Sequence, residues 1–127
     1  MSAMFEDCSL LENLDVSTFV TSKVQNMSAM FVGCIKLTSL SISNFNTKEV
    51  KDMTKMFELL KITSLDVSRL DTSNVIYMLD MFSEMDKLTS LDVSRFNTGN
   101  VKDMAGMFYN CEELKEINVG GFYKKNF

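Results

Sequence analysis

The dipeptide Met-Phe returns at Met4-Phe5, Met30-Phe31, Met56-Phe57, Met81-Phe82 and Met107-Phe108, in steps of 26, 26, 25 and 26 residues. Its surroundings keep the same phase: Leu14-Asp15-Val16-Ser17, Ser41-Ile42-Ser43, Leu65-Asp66-Val67-Ser68 and Leu91-Asp92-Val93-Ser94. Self-similarity at such a period points to stacked repeats, each a small unit that cannot bury its apolar side without a neighbour. The chain reads as a single repeat array over residues 1–127, about five 26-residue repeats, partial at both ends. Function then becomes a question about surfaces rather than pockets.

Aligned, the copies give L-x-x-L-D-V-S-x-F-N/D-T-x-x-V-x-x-M-x-x-M-F-x-x-C. The first part alternates: Leu14 and Val16 face one way, Asp15 and Ser17 the other, which predicts a short strand with one buried face. Apolar residues stand three before each strand (Leu11, Leu37, Ile62, Leu88, Leu114) and three after it (Phe19, Phe45, Leu70, Phe96, Phe122). That is the leucine-rich-repeat spacing with an aromatic where Asn usually stands. The second part, with Val50, Met53, Met56 and Phe57 as its type, predicts a helix of about three turns. Thr21, Thr47, Thr72 and Thr98, three of them after Asn46, Asp71 or Asn97, have the composition of helix N-caps. The expected fold is therefore α/β: a right-handed leucine-rich-repeat solenoid, parallel sheet on one face and short helices on the other. The stretch from Phe57 to Leu65 is one residue short, so the turn at Leu59-Leu60-Lys61 must tighten.

Composition removes several functions. The net charge of −4 and the pI near 4.8 argue against nucleic acid as a partner. The apolar runs are too short to span a bilayer, so no direct membrane insertion is expected. There is no His, which takes away the commonest general base and metal ligand. No phosphate-binding glycine motif occurs either, and the expectation is no enzyme, no cofactor and no resident metal. Asp15, Asp66 and Asp92 share one column, where Asp66 and Asp92 stand near enough to share a cation or to lie on a solvated face offset by Arg69 and Arg95. The solvated face is the simpler reading. Cys8, Cys34 and Cys111 share a column with Leu60 and Met85, which reads as a core thiol position; a Cys8–Cys34 disulfide is the alternative. Asn26-Met27-Ser28 is a glycosylation sequon by pattern, on a segment expected to be core.

The strand, cap and Met-Phe residues together closely resemble the 26-residue repeat of BspA-like leucine-rich-repeat surface proteins and lipoproteins. Those occur in bacteria such as mycoplasmas, listeriae and oral anaerobes, and in some parasitic protists. The resemblance covers essentially the whole chain; Ser41, Leu70, Leu60 and Met85 depart from it. It implies a secreted or cell-surface protein that adheres to host or neighbouring-cell proteins and has no catalysis. The exposed strand face then supplies the candidate partner-binding residues Asp15, Asp66, Arg69, Asp92 and Arg95, since small polar side chains allow close approach and Arg favours contacts. A spacer array with no ligand is the alternative. A lattice binder such as an ice-binding protein fits the Thr and Ser columns and conflicts with the charged ones. Both ends fall inside repeats, so the chain reads as an excerpt whose open rungs associate end to end, unless Tyr123–Phe127 or the N-terminal half-repeat acts as a cap.

Overall fold

The computed structural model describes residues 1–120 and Phe122; the segment 123–127, considered above as a cap, lies outside the described residues. Each repeat is a coil built from a succession of turns. Val16, Ile42, Val67 and Val93 carbonyls accept from the Phe19, Phe45, Leu70 and Phe96 amides at 3.0–3.1 Å, and Thr21, Thr47, Thr72 and Thr98 carbonyls accept from Val24, Val50, Val75 and Val101 at 2.9–3.0 Å. Further i→i−3 bonds close Met53–Met56, Phe57–Leu60, Phe31–Cys34 and Cys34–Leu37. A turn every three residues returns one apolar side chain inward each time. That is why the pattern V-x-x-M-x-x-M-F-x-x-C is apolar at threes.

The expected leucine-rich-repeat solenoid with helices on one face is not formed: no helix occurs among the described residues, and the only strands are β1 (Ser90–Asp92) and β2 (Glu116–Asn118). The reason for the missing helices is visible in the backbone. Ala3, Ala29, Lys55, Asp80 and Gly106, one before each Met-Phe pair, have φ between 53° and 68°. Asp7, Gly33, Leu59, Glu84 and Asn110, two after it, have φ between 53° and 74°. A left-handed residue cannot continue a right-handed helix. The apolar residues could not reveal this, because a helix face and a stack of turns bury the same positions.

The amides that a helix would use internally instead cross to the next repeat. Met27, Ala29, Phe31 and Gly33 N–H groups donate to Asp52, Thr54, Met56 and Glu58 carbonyls at 2.8–3.1 Å. The series continues from Met53, Lys55, Phe57 and Leu59 to Tyr77, Leu79, Met81 and Ser83, and from Met78, Asp80, Phe82 and Glu84 to Asp103, Ala105, Met107 and Tyr109. Left-handed residues cost about 1–2 kcal/mol each without Gly, and this ladder is what offsets them. Isolated parallel bridges Asn26↔Asp52, Asp52↔Tyr77 and Tyr77↔Asp103 lie on the same run.

Among the described residues one strand pair forms, parallel, with Ser90↔Glu116, Leu91↔Ile117 and Asp92↔Asn118 in register. The other copies still alternate, Leu40 and Ile42 inward, Ser41 and Ser43 outward. Their extended runs are cut short. The same turn closes these runs and β1 alike: the Ser68 and Ser94 amides go to Asp66 and Asp92 Oδ1, and the Val67 and Val93 carbonyls to the Leu70 and Phe96 amides.

The core lies between the two sides of the coil. Phe5, Phe31, Phe57, Phe82 and Phe108 stack ring on ring at 5.6–5.9 Å with planes within 2–10° of parallel. Met27, Met30, Met53, Met56, Met78 and Met81 are wholly buried beside them. The Thr column is buried too, and it is not a set of helix caps. Thr21, Thr47 and Thr72 Oγ1 donate to the carbonyls of Asn46, Asp71 and Asn97 in the next repeat at 2.9–3.1 Å, and accept the amides of the same residues at 2.7–2.8 Å. Each is a staple between repeats. All three cysteines are free thiols, and Cys34 and Cys111 Sγ donate to the Phe5 and Phe82 carbonyls at 3.1 and 3.0 Å. In the shortened repeat, the bond that joins Cys34 to Leu37 elsewhere has no counterpart at Leu60–Ile62.

Candidate functional site

Short polar residues place the exposed columns of the strand face. Asp15, Asp66 and Asp92 project outward, and each Oδ1 accepts the amide of the Ser two residues on, Ser17, Ser68 or Ser94, at 2.9 Å. Asn118 makes the same turn with Gly120 at 3.2 Å. Asp and Asn favour such turns because their side chains mimic a backbone carbonyl. The hydroxyl and then the amide of the following Ser hold the Asp15, Asp66 and Asp92 carboxyls below the ordinary carboxylate range, with Arg69 and Arg95 adding to the effect at the last two. These carboxylates are thus structural acceptors first. Asp66 works against Asp92 only as the weakest influence, and among the described residues no group of three or more His, Cys, Asp or Glu is placed to hold a metal ion.

Arg69 and Arg95 occupy the next column but one, in adjacent repeats, and both are exposed. Asn44 holds the same position two-repeat-lengths before Arg95, and it is tied down: its Nδ2 donates to the Val16, Ser17 and Phe19 carbonyls of the preceding repeat at 2.9, 3.2 and 3.4 Å. The arginines make no such bond and no ion pair; the ion pairs among the described residues are Lys55–Glu58 at 3.5 Å and Lys61–Asp86 at 3.0 Å. Arg69 and Arg95 both line one solvent-open depression, together with Ser68, Leu70, Asp71, Thr72 and Asn97. Asp71 is itself engaged, its carboxyl held low by the Ser73 hydroxyl, donating at 2.6 Å, and by the Ser73 amide.

The structure therefore brings Arg69 and Arg95 to one feature and spreads Asp15, Asp66 and Asp92 along a separate column. Leu70 is the residue that sequence reasoning passed over as part of a site. It was visible as the one aliphatic in the column Phe19, Phe45, Leu70, Phe96 and Phe122, next to the first of the two arginines. A second groove, at Ser39–Ser43 with Ser64 and Asp66, has small polar walls and carries no charge pair. The thiols offer no nucleophile of note: burial pushes Cys34 and Cys111 above the ordinary thiol range.

The class of protein defined by these features is a stack of turn-built repeats presenting a polar, partly cationic face. Residues 1–122 match the family model described as "Mycoplasma protein of unknown function, DUF285", and the chain belongs to that family. No curated protein and no solved structure matches it. No helix among the described residues is long and apolar enough to cross a membrane.

Proposed function

We propose that this chain is a non-catalytic protein-binding module of a cell-surface or secreted protein, engaging a host or neighbouring-cell protein through the strand face. The observation that carries this reading is the contrast within that face. The carboxylates Asp15, Asp66 and Asp92 are committed to turns, while Arg69 and Arg95 stand exposed with no hydrogen bond or ion pair among the described residues. Free guanidinium groups over a closely approachable polar surface are what a protein interface uses. The resemblance to BspA-like surface proteins supports adhesion as the setting. Pull-down with candidate surface proteins tests it: substitution of Asp66, Arg69, Asp92 and Arg95 is expected to abolish capture, and capture undiminished by all four removes the strand face.

A spacer is the second reading, favoured by one observation. Every described repeat is joined to the next by backbone bonds and, in three cases, by a Thr staple, which makes a stiff array. A saturable, specific partner for the isolated array counts against it.

A further inference from the structure

We infer that the depression over Leu70 is a receptor for a single side-chain carboxylate, a Glu or Asp of a partner protein, clamped between Arg69 and Arg95. The inference rests on the strand-face reading and narrows it to one contact. Three independent features of the fold converge there. First, the column that holds Phe19, Phe45, Phe96 and Phe122 holds Leu70 in this repeat alone, a buried residue that lines the depression. Second, Arg occurs at two consecutive rungs and lines that depression from both. Third, the same column shows what a tethered residue looks like, since Asn44 donates to three carbonyls of the preceding repeat and neither Arg does.

The chemistry selects the occupant. A guanidinium presents two parallel N–H donors matched to a carboxylate, and two arginines on adjacent rungs can take one anion between them. Asp66 and Asp92 feel Arg69 and Arg95 through charge, but no ion pair joins them among the described residues. Asp66 and Asp92 already accept their Ser amides, and Asp71 accepts both the amide and the hydroxyl of Ser73. A Glu or Asp side chain brings one charge for the two forks. On a chain of net charge −4, a cationic notch of this kind also orients an acidic partner and repels the rest of it less than a flat acidic face would.

Titration of the isotopically labelled chain with N-acetyl-glutamate N-methylamide, followed by NMR, tests the assignment. The Arg69 and Arg95 Nε–H and the Leu70 methyl resonances are expected to move together in one saturable transition. The glutamine analogue should leave them in place, and Arg69→Ala with Arg95→Ala should abolish the response. Equal shifts at exposed lysines such as Lys23 and Lys102, or binding unaffected by the arginine pair, overturn the inference. Inorganic sulfate that matches the glutamate probe also overturns it, showing a general oxoanion notch. If the probe fails while a protein partner still responds to Asp15, Asp66 and Asp92 substitution, the notch is lost and the strand-face reading stands. A protein partner indifferent to both sets removes both.

Discussion

A single buried hydroxyl per repeat does the work of two backbone groups. Thr47 Oγ1 serves the amide and the carbonyl of Asp71, and Thr72 Oγ1 serves those of Asn97. Removing it leaves a partly buried donor and acceptor unsatisfied, which costs about 2 kcal/mol. Thr47→Val is therefore expected to destabilise by that amount in urea unfolding, with Thr47→Ser retaining most of the stability. A helix cap would lose about 1 kcal/mol and would be rescued equally by Asn. The exposed carboxylates give a second prediction. Asp15, Asp66 and Asp92 have folded-state pKa values below the unfolded value of about 3.9, so their contribution is present above that pH and is lost as pH falls through the lower folded values. Asn fills the same turn at Asn118. The triple variant Asp15→Asn, Asp66→Asn, Asp92→Asn should accordingly show a shallower drop of melting temperature between pH 5 and pH 3, checked by thermal scans, and an unchanged slope would contradict the turn-acceptor role.

At the scale of the element, the left-handed columns decide the conformation of the Met-Phe segment. Ala29 at φ 55° carries a Cβ that Gly106 omits in the equivalent position, so Ala29→Gly is expected to stabilise by up to about 1 kcal/mol. Gly33→Ala should do the reverse, since the new Cβ would stand 2.6 Å from Asp7 Oδ1 at φ 74°; thermal melts of both variants check the sign. The repeat, its register and its inward residues were legible in the sequence, because the Met-Phe and Leu-x-Val columns report burial directly. The helix was not, since burial at Val50, Met53, Met56 and Phe57 is common to a helix face and to a stack of turns. The clue lay elsewhere: Asp7, Gly33 and Asn110 fall in one column, and these are residue types that tolerate positive φ. The Asn/Asp-Thr pair misled for a related reason, as side chains that cap helices also close turns: Lys48, Ser73 and Gly99 amides donate to Asn46, Asp71 and Asn97 Oδ1. Of the candidate site, the exposure of Asp15, Asp66 and Asp92 was readable from alternation, and that of Arg69 and Arg95 from their charge. The place of Leu70 was not, because which residues line a depression shows only in the fold.

For the whole molecule, the ladder has a direction. Amides of one repeat donate to carbonyls of the next, so at the first repeat the Ser2, Met4 and Glu6 carbonyls meet no donor among the described residues, and at the last the Gly106, Phe108 and Asn110 amides meet no acceptor. In the internal register these groups match one another, with Phe108 and Phe5 continuing the ring stack. The isolated 127-residue chain is expected to associate head to tail at millimolar concentration, seen by light scattering, and a polar capping repeat at each end should abolish it. Strictly monomeric scattering without caps would show that the end rungs are already covered. Both the offset of the backbone strain and the stacking of repeats depend on where the Met-Phe amides send their hydrogen bonds. Through-bond NMR couplings across hydrogen bonds measure that directly. The account predicts couplings from the Phe31, Phe57 and Phe82 nitrogens to the Met56, Met81 and Met107 carbonyl carbons of the following repeats; couplings instead to Met27, Met53 and Met78, four residues back in the same repeat, would restore the helices and contradict it.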